Sequence, residues 1–156
     1  GAIDATEWVG PWNDEAMKFQ EAAKYYYYPG MHEPGSMLAC GTNKSWFTSL
    51  SKSDQLLIEA AAAMENDVMM SEYNAKNGAA LARLINDHGV KLEKFSDKVY
   101  DGFAGAANEV FEETRASSGL AERIHSSFLK ARKDIGSWTN LSDSPYISQR
   151  NRALGM

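Results

Sequence analysis

The sequence predicts a helix-rich α/β protein in which one long helix is flanked by short strands. Three observations carry this. First, the series Leu57, Ala61, Met64, Val68, Ser71, Ala75, Gly78, Ala82 and Ile85 recurs at alternating spacings of four and three, with no proline between Lys52 and His88. Second, Tyr25–Tyr28 places four aromatics in a row, and Val90–Phe95 alternates apolar and polar residues, so both read as short strands. Third, the chain has 156 residues, 44% hydrophobic and 24% charged, which is enough for one domain with a core.

Taken in order, Ile3, Ala5, Glu7 and Val9 share one side of an extended segment that Gly10-Pro11 ends. Glu7 thereby joins an apolar face, where a carboxylate needs a hydrogen bond or a cation. Trp12 to Ala23 is predicted as a short helix, capped by Asn13 or Asp14, with Ala16, Phe19, Gln20 and Ala23 on one face. The tyrosine strand follows. Pro29-Gly30 and Pro34-Gly35 then turn the backbone twice and hold Met31-His32-Glu33 on a stiff loop. Ser36–Thr42 reads as a buried strand, and Asn43 as the cap of a brief turn carrying Trp46, Phe47 and Leu50.

Ser51 and Asp54 form a capping signature for the long helix, and Gly89 suits its C-terminal end. From Lys52 to His88 it would span about 55 Å, more than one small lobe requires. Its three methionines, Met64, Met69 and Met70, are read as core. Ser96 caps a helix with Val99, Phe103, Ala106, Val110 and Thr114 on its face; Ser117-Ser118-Gly119 breaks it. Leu120, Ile124, Phe128, Ala131 and Ile135 resume a stripe to Gly136, after which periodicity is lost. Trp138 and Tyr146 remain to pin that tail, and Arg150 and Arg152 make its end basic.

Composition excludes several classes of function. A net charge of −5 with no basic stripe argues against nucleic acid. The lone Cys40 cannot form an intrachain disulfide, and His32, His88 and His125 are too scattered for a zinc motif. The sequence shows no membrane-length apolar run and no signal peptide; residues 1–11 read like the inside of a domain. Nucleophile elbow, phosphate loop and zincin motifs are all missing, so catalysis is not expected. Asp4, Glu7 and Glu33 are candidates for a hard oxygen site for Na⁺ or Ca²⁺, although spacing alone does not bring Glu7 and Glu33 together. Trp8 and Trp12 are read as packing residues or ligand stackers, His32 as a loop histidine.

Gly1–Trp12 with its Glu7-Trp8 pair, Tyr25–Tyr28, and Pro29-Gly30-Met31-His32-Glu33-Pro34-Gly35 resemble the solute-binding subunits of TRAP transporters, in the DctP-type branch that binds 2-oxo acids and related carboxylates. The likeness runs over nearly the whole chain. It implies an α/β fold, here the C-terminal half of a two-lobed periplasmic-binding-protein-like architecture, in which the long helix 52–88 bridges the lobes and is followed by C-terminal helices (96–136) and a tail (137–156). The resemblance implies a periplasmic protein, not an enzyme, that binds a small carboxylate such as pyruvate and delivers it to the membrane permease. It implies a bridging cation, sodium or calcium, held by Glu7, Trp8 and Glu33, with Trp8 also meeting the substrate. Some members dimerise by exchanging C-terminal helices, which implies a homodimer here. The family's ligand-clamping arginine and remaining metal ligand map to no residue of this chain, and its members are roughly twice as long; their signal peptide is expected upstream. The other reading open from the residues alone is a helical self-association module without ligand.

Overall fold

The computed structural model describes residues 2–35 and 38–156. The fold divides into two compact units, residues 1–96 and 97–156.

In the first unit, residues 2–9 form no strand, so Glu7 joins no buried face. The expected alternation has no ladder to pair with among the described residues, and alternation without a partner does not make a strand. The predicted helix after Gly10 is two short ones, α1 (Pro11–Ala16) and α2 (Phe19–Ala22). Lys18, in the left-handed region at φ 60°, separates them. The cap of α1 is Gly10, not Asn13 or Asp14, and Pro11 occupies the first helical turn, where a missing N–H costs nothing. Strand β1 (Tyr25–Tyr28) forms as expected. Of the predicted strand Ser36–Thr42, residues 36–37 lie outside the described residues and 38–42 form no strand; Leu38 is exposed.

Asn43 caps α3 (Lys44–Ser49) by accepting from the Trp46 amide at 3.1 Å. Ser51 likewise caps α4, accepting from the Asp54 amide at 3.2 Å while its hydroxyl donates to the Asp54 carboxylate at 2.8 Å. Helix α4 runs unbroken from Lys52 to Asn86, 35 residues, about 52 Å. Gly89, at φ 68°, then turns the chain into β2 (Lys91–Lys94). β1 and β2 pair in parallel, Tyr25 opposite Lys91 and Tyr28 opposite Lys94. The crossover between them contains α3 and α4, as parallel strands require a long connection.

The core of this unit is small: Ala80, Leu84 and Val90, at the C-terminal end of α4, the helix on which α1 packs. The inward face of α4 is therefore Tyr73, Asn77, Ala80 and Leu84. The expected stripe is offset from it: Leu57 and Met64 are 64% and 65% exposed, and Met70 is exposed too, so Met64 and Met70 are not core, while Met69 is half-buried. Alanines on most sides of α4 leave its apolar direction poorly defined, and packing against α1 decides which face turns in.

In the second unit, α5 (Asp97–Ala116) packs on α6 (Gly119–Thr139), with Phe111 5.8 Å from the Phe128 ring and 6.0 Å from the His125 ring. Phe103 and Ala107 are half-buried, while Phe111, though in ring contact with α6, is exposed, as are Val99 and Val110 of the expected face. Ser118 caps α6 at the predicted break, accepting from the Ala121 amide at 3.1 Å. Leu120, Ile124 and Ile135 of the predicted α6 stripe are exposed, and the helix continues past Gly136. The tail is helical, α7 (Asp143–Leu154), closed by Gly155 at φ 68°. Trp138 and Tyr146 are exposed, so within the described residues neither pins it.

The accessible surface is 12696 Å². Two compact globules of these sizes, wholly apart, would expose about 9,300 Å² between them. Among the described residues, Leu57, Met64, Val68, Leu120, Ile124 and Ile135 leave apolar helix surface exposed.

Candidate functional site

The two candidate loops grow from one scaffold. The Glu7-Trp8 loop runs into α1, and the His32-Glu33 loop leaves β1. Two contacts tie these roots together. Tyr26 of β1 donates its hydroxyl to Asp14 Oδ2 of α1 at 2.5 Å. Lys24 donates to the Gln20 carbonyl at 2.9 Å, joining α2 to the start of the strand. Asp14 and Gln20 are the buried polar residues of the described chain. Burial pushes the Asp14 carboxyl above the usual aspartate range, against the opposing pull of its hydrogen bonds to Tyr26 and the Gly10 backbone. Burial, and then the bond to Asp14, push the Tyr26 phenol upward as well.

Helix α4 holds the scaffold from beneath. Arg83 Nε and Nη2 donate to the two carboxylate oxygens of Glu15 at 2.7 and 2.6 Å, a bidentate pair across 68 residues of sequence. That hydrogen bond holds Glu15 below the usual glutamate range. Trp12 lies edge-on to Tyr73 at 5.3 Å, and Lys76 Nζ sits 4.1 Å from the Trp12 ring. The Trp12 amide donates to Asn77 Oδ1 at 3.1 Å.

The predicted ligands Glu7, Trp8 and Glu33 are all exposed, as is Asp4. Among the described residues neither Glu7 nor Glu33 is paired with a cationic side chain. Two uncommitted carboxylates are the donor type that a hard cation takes. No group of three His, Cys, Asp or Glu among the described residues could hold a metal by itself, so further oxygen donors would have to complete a shell. A crevice between α5 and α6, lined by Asn108, Phe111, Glu112, His125, Leu129 and Arg132, includes none of the predicted site residues. Asn77 was not singled out in the sequence, Asp14 was read there only as a candidate helix cap, and Tyr26 only as part of a strand. Asn66 and Asn74 of α4 are exposed and Asn77 is half-buried, so an asparagine within the helix did not by itself mark the one that makes a tertiary bond.

No helix among the described residues is long and apolar enough to cross a membrane. Residues 1–117 match the family model of bacterial extracellular solute-binding protein family 7, DctP. The chain is 34% identical, over 146 residues, to the monocarboxylate 2-oxoacid-binding periplasmic protein of a Nostoc species; the match covers 94% of this chain and 40% of that protein. A TRAP periplasmic solute-binding protein of Colwellia psychrerythraea, solved with calcium and pyruvate, superposes with a TM-score of 0.89 at 35% identity, over 95% of this chain and 45% of that one. A second from Bordetella bronchiseptica, a mixed-occupancy dimer with calcium and picolinate in one site, gives 0.90 at 28% identity, over 99% and 46%. A third from Pseudoalteromonas atlantica, with sodium and pyruvate, gives 0.84 at 29%, over 94% and 45%. The chain thus spans about 40 to 46% of the length of the relatives it matches, and its few strands among many helices are those of part of their α/β fold. A family match over residues 1–117 and this agreement of folds lead to one assignment: the chain belongs to the DctP family of bacterial extracellular solute-binding proteins.

Proposed function

We propose that this chain contributes one wall of a periplasmic TRAP solute-binding site for a small 2-oxo carboxylate, pyruvate among them, and that the protein delivers its ligand to the membrane permease without reacting with it. The observation that carries this reading is the 35% identity to a protein solved with calcium and pyruvate, at a TM-score of 0.89. In this reading Glu7 and Glu33 hold the cation, calcium or sodium, and Trp8 meets both cation and substrate. The cation supplies positive charge for the ligand carboxylate. The chain's own residues set the two loops: α1 and β1 carry them, and Tyr26–Asp14 keeps their roots together. The long helix α4 serves both lobes in this reading, the C-terminal helices and tail forming a separate part.

A second reading concerns assembly. Leu120, Ile124, Ile135 and Trp138 are exposed on the C-terminal helices, which favours a homodimer formed through them. Sedimentation of the chain and of its Ile124→Glu variant tests this: a dimer that the variant loses supports it, and a monomeric wild type overturns it.

The ligand reading is tested by tryptophan fluorescence in the full-length gene product, titrated with pyruvate and other 2-oxo acids with and without Ca²⁺ or Na⁺. A saturable, cation-dependent change that Glu33→Ala abolishes is the expected result. A folded protein silent to every 2-oxo acid overturns it.

A further inference from the structure

Helix α1 begins without a side chain to cap it. Its N-cap is Gly10, and no side-chain cap bond is made from that position. Pro11 has no N–H, so the first free donor of the helix is the Trp12 amide. A serine or aspartate at the cap would ordinarily satisfy it. Here the acceptor comes from 65 residues away: Asn77 Oδ1, in the C-terminal third of α4, takes the Trp12 N–H at 3.1 Å. The same amide group lies against Gly10, whose Cβ, had it one, would stand 3.4 Å from Oδ1. Gly10 itself holds φ 156° and ψ 177°, a conformation essentially reserved for glycine. The next two contacts of α4 with this turn, Tyr73 and Lys76 on the Trp12 ring, lie within one helical turn of Asn77.

Upstream of this point the chain has little to hold it. Residues 2–9 form no regular structure and are exposed, and among the described residues they make no backbone–backbone hydrogen bond; the first is from the Asp14 amide to the Gly10 carbonyl. Gly10 is therefore the root from which the loop projects. An extended chain advances about 3.5 Å per residue, so Trp8 lies within about 7 Å of that root and Glu7 within about 11 Å. Whatever fixes the root confines both side chains.

We propose that Asn77 is a positioning residue for the Glu7-Trp8 loop: it caps α1 from the long helix and sets the point and direction from which the loop leaves. This rests on the reading of Glu7 as a cation ligand. It goes further by making the orientation of the loop a property of α4, since the Asn77–Trp12 bond, beside the Tyr73–Trp12 and Arg83–Glu15 contacts, ties the root of the loop to that helix.

The test uses terbium, a calcium-like ion whose emission is sensitised by a nearby tryptophan, together with amide hydrogen exchange at Trp12. Wild type, Glu7→Gln, Asn77→Ala and Asn77→Asp are compared in the full-length gene product. Asn77→Asp keeps the acceptor. Asn77→Ala is expected to weaken terbium binding about tenfold, the usual effect of removing a group that orients a ligand-bearing segment, and to speed exchange at Trp12 while the amides of α4 stay protected. Asn77→Asp restores both. A Glu7→Gln variant that binds as the wild type does overturns the cation site, and this inference with it. If Glu7→Gln weakens binding and Asn77→Ala does not, the site stands and the positioning role falls. Loss of protection along all of α4 in Asn77→Ala, not recovered in Asn77→Asp, makes Asn77 a residue of the fold only and also overturns the inference.

Discussion

The Tyr26 hydroxyl donates to Asp14 Oδ2 at 2.5 Å and so bonds the helix after one candidate loop to the strand before the other. The second oxygen of the carboxyl, Oδ1, is buried without a protein partner. Tyr26→Phe would strip the carboxyl of its side-chain donor, and a buried polar group left unpaired costs about 1–3 kcal/mol. Chemical denaturation should show a loss in that range. An unchanged midpoint would mean that solvent replaces the phenol without penalty.

The same carboxyl gives stability a pH dependence of known sign. Because burial raises Asp14 in the folded state, the folded protein holds this proton more tightly than the unfolded chain. Its contribution is fully present below the unfolded value, about 3.9, and is lost as pH rises through the folded value. Asp14→Asn keeps an oxygen for Tyr26 and cannot ionise. It should therefore gain stability relative to the wild type between pH 3 and pH 7. A pH-independent difference between the two proteins would refute the assignment.

Glu15 has the opposite sign. Its hydrogen bond to Arg83 lowers its folded value, so its contribution is present above about 4.3, its unfolded value, and is lost as pH falls through the folded one. Arg83→Met should flatten that acid limb. It should also make thermal stability less sensitive to salt, since the Arg83 side chain is 48% exposed and ions screen the pair. Melting curves from pH 2 to 7 at two ionic strengths check both; an acid limb identical to the wild type's would show that Glu15 gains nothing from the pair.

What the sequence made legible was local. Asn43 and Ser51 were readable as caps because a cap is decided within four residues, and each accepts the backbone N–H it should; Ser118 was readable only as part of a break, and it too accepts such an N–H. The long helix and β2 were readable from periodicity, and β1 from its four consecutive aromatics. The parallel pairing of Tyr25–Tyr28 with Lys91–Lys94 was not, because strands 62 residues apart leave no mark of their register in either. Helix α7 was hidden because Ser142, Asp143 and Pro145 look like loop punctuation, yet all stand at its start, where a proline is tolerated. The inward faces of α4 and α5 were misjudged because apolar residues lie on more than one side of each, and only the packed neighbour chooses. Glu7, Trp8 and Glu33 were nameable from motif; the Asn77, Asp14 and Tyr26 contacts that hold their scaffold join distant segments and needed the fold.

Leu84 is the large side chain wholly buried among the described residues, in a core otherwise made of Ala80 and Val90. Leu84→Ala opens a cavity in that core and should cost about 2–5 kcal/mol. With so little other core in this unit, that is a large share of what a domain of its size has. The first unit should lose its urea transition, or show it at a much lower midpoint. A loss below 1 kcal/mol would mean that α1 and α4 close over the gap.

Gly10 is the most exacting backbone position in the scaffold. Its φ of 156° and ψ of 177° lie where a side chain is strongly disfavoured, and α1 starts from it. Space is not the obstacle, since an added Cβ would meet Asn77 only at ordinary contact distance, 3.4 Å. The penalty of Gly10→Ala is therefore conformational, about 1–3 kcal/mol. The chain can relieve it by rotating Gly10 towards extended backbone, which would pull the Trp12 amide from Asn77 and swing the Glu7-Trp8 loop. The variant should show faster exchange at the Trp12 amide along with its lost stability. A variant that loses stability but keeps the Trp12 amide protected would show that the strain is absorbed upstream, in the loop, and that the grip of α4 on α1 holds without the glycine.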